Sequence, residues 1–395
     1  MKWASTIAEG ERLDAVVESA VDSAMQSLGD AAPDLLLAFV SSHFADEYDR
    51  VPALVRSAAG SGLLLGCSAG GVIGGGSEIE DRPAFSLTAA SLPGVDIAPV
   101  YVDPQAIPEL GDRGGWEAML RSAPDDAPSV VLLPDPFSVP VDRLLQGLDS
   151  RFPDSSKVGG LASGARRVGG NRLYLGPNSY SAGAVGVALT GNVVVDSVVA
   201  QGCRPIGDPM FVTACRENLL MGLDGRPPLD VLRDLYERLP AGDRDVFRHS
   251  LFLGIVMNDR REQYSHGDFL VRNLVGVSEE PRGLVVGASL RENLVVQFHL
   301  RDRRTSEEDL DTMLRRYAAY AKGRPPAGSL LFSCLGRGMH LYGEPDHDSG
   351  TFRKHVGDVP LGGFFCNGEI GPVQGRTYLH GYTSAFAMFR PRSDA

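Results

Sequence analysis

The sequence lacks any cysteine pair spaced for zinc or for a redox centre. Its five cysteines, Cys67, Cys203, Cys215, Cys334 and Cys366, lie far apart, with no CxxC among them. Odd in number and scattered, they read as thiols in a reducing compartment rather than as a disulfide framework. Long hydrophobic runs are also missing, and no stretch approaches the roughly 20 apolar residues of a membrane helix. The opening MKWASTIAEGERLD brings charge in too early for a secretory leader. A cytoplasmic protein without membrane attachment is expected. Positive charge is scarce: 38 Lys and Arg against 50 Asp and Glu leave a net charge of −12, which repels a phosphate backbone. No basic run interleaved with aromatics appears, so nucleic acid is excluded as an expected partner. Metal motifs are absent as well, since the eight histidines are scattered and form no HExxH.

What remains is ordinary globular chain, 43% hydrophobic and 22% charged. Its 395 residues exceed what one hydrophobic core organises, so two domains are expected. Residues 9 to 28 carry an apolar stripe at helical spacing, Leu13, Val16, Val17, Ala20, Val21, Ala24, Met25 and Leu28, with Gly29 as the stop. DLLLAFV at 34 to 40 reads as a buried strand, with a helix after it at about 46 to 59.

The chain then repeats itself. Leu35 begins a buried strand, a helix follows, and a second strand runs into the glycine turn CSAGG ending near Gly70. Val130 begins another such strand, Pro140 opens a helix, and KVGGLASG ends at Gly164. Leu330 begins a third, a helix is expected near 348 to 356, and LGGFFCNG ends at Gly368. Further apolar strands follow each turn, at 84 to 92, 182 to 190 and 383 to 389. The expected architecture is α/β, with repeated strand-helix-strand-strand units forming two mixed-sheet halves, 1–204 and 205–395. The boundary is set near 205, where QGCRPIGDP interrupts the strands. Beyond it come an amphipathic helix near 230 to 239, four strands punctuated by Gly, Asn and Pro, and a helix opened by a Thr305/Glu308 capping box.

Several constellations invite a chemical reading. GCSAG satisfies the GxSxG pattern around Ser68, yet no helical face follows it as a nucleophile elbow requires. Tight-turn packing is the competing reading for Cys67, Ser68 and their glycines. The glycine-rich loops supply no GxGxxG and no Walker lysine, though their N–H groups can cradle a small anion. A haem needs only one axial ligand, for which His299, His340 and His380 are candidates. DHDSG at 346 to 350 reads as a polar loop. Arg301 in QFHLRD can meet a ligand carboxylate with its two-pronged guanidinium or brace the helix after it. The third turn is chemically richest, because Cys366, Asn367 and Glu369 are followed by His380. A Cys366/His380 pair oriented by Asn367 or Glu369 would make a cysteine nucleophile. In the competing reading Cys366 is a small buried hydrophobe and Glu369 is bonded within the turn.

These segments resemble the FIST family, the sensory domain named for F-box and intracellular signal transduction proteins. LLLAFVSSHF, LLLGCSAGGVI and AFSLTAASL are similar to the FIST N pattern. DFLVRNLVGV, VQFHLRD, GSLLFSCLGRG and above all GGFFCNGEIGPVQGRTYLHGYTSAFAMF are similar to FIST C. The resemblance implies a small-ligand-binding sensory protein, with amino acids the usual proposal and haem linked to some relatives. No kinase, cyclase, methyl-acceptor or F-box segment is recognisable, so output is expected through an unidentified protein partner. The motif positions carried over as ligand-binding candidates are Cys67, Ser68, Arg301, Cys366, Asn367, Glu369 and His380. No catalytic residue, metal or obligatory cofactor is expected.

Overall fold

The computed structural model describes residues 1–258, 263–265 and 267–392. The chain divides into two compact units, one of Met1–Val199 together with the chain from Asp311, the other of Ala200–Leu310. The compact units therefore do not follow a single cut near 205. The third repeat starts, is interrupted by the second unit, and resumes.

The first repeat runs β1 (Lys2–Glu9), α1 (Leu13–Leu28), β2 (Leu35–Ser41), α2 (Val51–Ala59), β3 (Leu63–Ala69), β4 (Gly71–Gly74), β5 (Ser77–Glu80) and β6 (Ala84–Ser91). The second runs β7 (Val95–Val102), α3 (Arg113–Leu120), β8 (Ser129–Pro134), α4 (Val141–Arg151), β9 (Lys157–Gly160), β10 (Leu173–Leu175), β11 (Asn178–Tyr180) and β12 (Ala184–Gly191). The third opens with β13 (Val194–Ala200). The inserted unit then contributes β14 (Cys203–Arg216), β15 (Leu219–Leu223), α5 (Pro228–Arg238), α6 (Ala241–His249), β16 (Leu251–Val256), β17 (Phe269–Ser278), β18 (Gly283–Val286) and β19 (Val295–Arg301). After α7 (Arg303–Tyr320) the repeat continues through β20 (Gly328–Cys334), α8 (Gly338–Tyr342), α9 (His347–Val356), β21 (Leu361–Cys366), β22 (Glu369–Val373), β23 (Arg376–His380) and β24 (Ser384–Arg390).

Each repeat builds four strands of a mixed sheet, and each sheet is completed by a hairpin from a different repeat. The orders are β1-β6-β2-β3-β10-β11, β7-β12-β8-β9-β22-β23 and β13-β24-β20-β21-β4-β5. In all three the central pair is parallel, β2 with β3, β8 with β9, and β20 with β21, joined by a helical crossover. These central strands are mostly apolar because both faces are buried. Along β2, Leu35, Leu37 and Phe39 enter a core shared with the other two sheets, where Phe39 stacks on Phe364 at 4.6 Å. The alternate residues Leu36, Ala38 and Val40 meet Val16, Val17 and Ala20 of α1. The second sheet does the same against α3 and α4 through Val130 and Leu132.

The inserted unit is a closed barrel, β14-β15-β18-β17-β16-β19, around Leu253, Val296, Phe298 and Leu300. Arg204 ties it together by pairing with Asp243 at 2.6 Å and Asp302 at 3.0 Å. The expected capping box at Thr305 is displaced: α7 starts at Arg303, and Asp302 is the cap, accepting from the Thr305 amide at 2.9 Å and its hydroxyl at 3.2 Å. An aspartate placed just before the first turn satisfies those donors without the glutamate.

Candidate functional site

The three glycine turns meet. Gly66, Gly159 and Gly363 hold equivalent places on β3, β9 and β21, and at each a Cβ would overlap the carbonyl oxygen of the parallel neighbour, on Ala38, Leu132 and Leu331 respectively. Beyond them the chain ends are cross-linked by hydrogen bonds. The amides of Ser163 and Gly164 donate to Ser68 O, and that of Gly70 to Ser163 Oγ at 2.9 Å. Ser163 Oγ donates to Phe365 O, the Asn367 amide to Leu161 O at 3.2 Å, and the Leu161 amide to Gly368 O at 2.9 Å.

Around this junction the repeats differ in chemistry. At the first turn Cys67 is buried in the shared core. Ser68 is fully buried too: its hydroxyl donates to Asn171 Oδ1 at 3.3 Å and accepts from the Arg172 amide at 3.0 Å. Those bonds hold β10 against β3. At the second, Asp135 is buried and accepts from Asn171 Nδ2 at 3.0 Å and Ser138 Oγ at 2.7 Å.

The third repeat carries a buried ion pair. Arg337, in the loop after β20, is fully buried; its Nε and Nη2 donate to Asp348 Oδ2 and Oδ1 at 2.9 and 3.1 Å. Ser333 Oγ, at 3.0 Å, and Ser384 Oγ also donate to Asp348. Burial opposes the Asp348 charge, but the Arg337 guanidinium and the surrounding hydrogen bonds outweigh it and hold the carboxyl well below its usual range. Beside them, on the hairpin lent by the first repeat, Glu78 Oε1 accepts from the Ser349 amide at 2.6 Å. Burial, reinforced by the Asp348 charge, pushes Glu78 up to about 8. Arg337 Nη1 and Glu78 Oε2 in this cluster have no hydrogen-bond partner among the described residues. Glu369, also fully buried, accepts from the Thr383 amide at 3.0 Å and hydroxyl at 2.7 Å, and burial pushes it up to about 7.

The structure therefore gathers Cys366, Asn367, Glu369 and His380 at one end of β21 to β23. Glu369 and His380 are register partners, and Cys366 Sγ donates to Glu369 Oε1 at 3.4 Å. Asn367 is the exposed member. His380 Nε2 donates to Gly371 O at 3.0 Å. Burial and then the neighbouring Glu369 push the Cys366 thiol well up, so it is held as a neutral thiol and reacts only as a base takes its proton. Arg301 ends β19 of the barrel, opposite Cys203. Of the histidines considered for haem, His299 is buried in the barrel with Nδ1 donating to Gln297 O, and His340 is exposed on α8. Sequence reasoning missed Arg337, Asp348 and Glu78. DHDSG is the start of α9 rather than a loop, and GRG around Arg337 was the available signal.

Three open grooves recur, each between a helix of one repeat and the hairpin tip of another: α2 with Gly176, α9 with Gly75, and α4 with Gly375. The second, about 410 Å³, is lined by Ser349, the residue whose amide binds Glu78, so groove and buried cluster share a wall.

Models of the FIST N domain and the FIST C domain match residues 34–226 and 228–372. The chain belongs to the FIST family. FIST domains are signal-transduction sensory domains. An uncharacterized protein of Mycobacterium tuberculosis H37Rv is 36% identical over 93% of this chain and 94% of its own length. Another, from Mycobacterium bovis, is 36% identical over 94% and 95%. An F-box/LRR-repeat protein of Arabidopsis thaliana is 27% identical over 45% of this chain and 36% of its own. A cyanuric acid hydrolase structure from A. caulinodans covers 99% of this chain and all of its own at 10% identity, with a TM-score of 0.34, too low to carry fold or activity across. Among the described residues no helix is long and apolar enough to cross a membrane.

Proposed function

We propose that this FIST chain is a cytoplasmic sensory protein that binds an amino acid or similar small polar metabolite and signals through a protein partner. The observation that carries the reading is the pair of buried, unsatisfied polar atoms, Arg337 Nη1 and Glu78 Oε2, beside Asp348. An unpaired polar atom away from water is costly, by about 1–3 kcal/mol each, and a ligand that pairs both recovers that energy. Of the three strand-end sites described, the third holds the buried guanidinium–carboxylate pair, which supports placing recognition there.

Arg337 takes the part expected of Arg301 and meets the ligand's carboxylate through Nη1, and Glu78, which burial keeps protonated, donates to the same carboxylate through Oε2. Glu369 receives the ammonium group; poised at about 7, it gives up its proton as the cation approaches. In this reading Cys366, Asn367 and His380, gathered at the same strand ends, complete the ligand's surroundings, and Cys67 and Ser68 brace them through the three-way junction. The test is a thermal-shift screen of the intact chain against the common amino acids at millimolar concentration. A ligand at a hundred times its Kd stabilises by about 2.7 kcal/mol, a clear rise in Tm. Should no amino acid raise the Tm, the amino-acid reading fails.

A further inference from the structure

The register of the third sheet sets two cysteines opposite each other. Cys334 and Cys366, the last residues of β20 and β21, are Cα partners across a parallel pair. Neighbouring strands lie about 4.8 Å apart. That spacing falls inside the window of roughly 4.4–6.8 Å over which disulfides bridge Cα atoms. Residues in register also project to the same face, so both Cβ atoms stand on one side of the sheet. Among the described strand pairs no other two cysteines are matched: Cys67 faces Phe39 and Leu173, Cys203 faces Arg301, and Cys215 faces Leu220.

The two thiols differ in access and surroundings. Cys366 is fully buried and bonded to Glu369, whereas Cys334 is half-buried beside the exposed Leu335. The loop returns on itself, with the Arg337 amide donating to Cys334 O at 2.8 Å. Arg337, whose guanidinium is held by Asp348, thus shares a tight turn with Cys334. A partly exposed thiol beside a fixed cation, with a second thiol in reach, is the environment in which a cysteine is oxidised and then resolved.

We propose that Cys334 and Cys366 form a peroxide-reactive dithiol, with Cys334 oxidised first and Cys366 resolving it. The Cys334 thiolate attacks one oxygen of a hydroperoxide. An S–O bond forms as the O–O bond breaks, and the leaving alkoxide takes up the proton lost by Cys334 and departs as alcohol. Cys366 sulfur then attacks the sulfenic sulfur of Cys334, passing its proton to Glu369 Oε1. The S–S bond forms, the S–O bond breaks, and the hydroxide collects that proton and leaves as water. Two thiols and one hydroperoxide thus yield a disulfide, an alcohol and a water, with two electrons passing from sulfur to oxygen. Oxidation also removes the Cys366 donor from Glu369, so the redox state reaches the wall of the proposed ligand pocket.

The test uses the intact protein with one equivalent of hydrogen peroxide, followed by thiol counting and non-reducing peptide mapping by mass spectrometry. Two of the five thiols should be lost. A single linked peptide should carry Cys334 and Cys366, and dithiothreitol should restore both. The variant C366S should stop at a Cys334 sulfenic acid, trapped as a dimedone adduct. A link between any other pair overturns the proposal. So does survival of all five thiols over a time in which free cysteine is consumed, and that result needs no variant. The ligand screen uses no oxidant, so either proposal can fail without the other.

Discussion

Replacing Glu78 with Gln tests the buried cluster through its pH dependence. Glu78 rises from an ordinary carboxyl value of 4.5 to about 8 because burial, then Asp348, disfavours its charge. The folded state therefore holds its proton more tightly than the unfolded chain does. Its stabilising contribution is complete below about pH 4.5 and is lost as pH rises towards 8. Linkage between those two values gives a loss of about 2–3 kcal/mol between pH 5 and 7 from Glu78 alone. Glu369, raised to about 7, adds a comparable fall of the same sign. Asp348 is depressed and loses stability only as pH drops below the carboxylate range, outside this window. Gln keeps the oxygen that accepts from the Ser349 amide and carries no titrating proton. Urea denaturation of E78Q and the parent at pH 5, 6, 7 and 8 should show the parent's slope cut roughly in half. Parallel curves for the two proteins would refute the idea that Glu78 is buried neutral beside Asp348.

Gly66→Ala, Gly159→Ala and Gly363→Ala should each destabilise by about 3 kcal/mol, because the added methyl strikes a backbone carbonyl that cannot move aside. Gly242→Ala, in open space on α6, should instead be neutral or stabilising by up to about 1 kcal/mol. Denaturation midpoints that leave any of the first three as tolerant as the control would break the equivalence of the turns. Asp348→Asn strands the buried Arg337 charge and should cost about 3–5 kcal/mol by the same assay. A loss below 1 kcal/mol would mean that the pair is wetter than its burial indicates.

Much of this was legible because both faces of the central strands are buried, which writes short apolar runs such as LLLAFV, VVLL and SLLF into the chain. The spacing between each run and its glycine turn then follows from one helical crossover, which holds two helices in the third repeat. Hairpin exchange was not legible. β4 pairs with β21 some 290 positions on, and nothing in GVIG names that partner, since ladder bonds join backbone to backbone. The barrel was seen as strands but not as an insertion, because the third repeat resumes only at a helix, α7, that looks like any other. Arg337 and Asp348 escaped because each sits in a polar, glycine-containing stretch that reads as loop, and their pairing depends on β20 and α9 being brought together. Cys366 was read with His380 as its partner and Asn367 or Glu369 as the orienting group, whereas the bond its thiol makes, to the Glu369 carboxyl, depends on the folded turn.

The borrowed hairpins also say something about how this chain is made. The second sheet needs residues 369–380 to cover β9, the first needs residues 173–180 to cover β3, and the third needs residues 71–80 to cover β21. On a ribosome, β9 is finished some 200 residues before its neighbour emerges, so its edge must wait exposed during synthesis. No repeat can close by itself, and closure of this unit becomes a late, cooperative event triggered when the β22–β23 hairpin arrives. A nascent chain stalled before that point presents an open sheet edge for chaperones to shield.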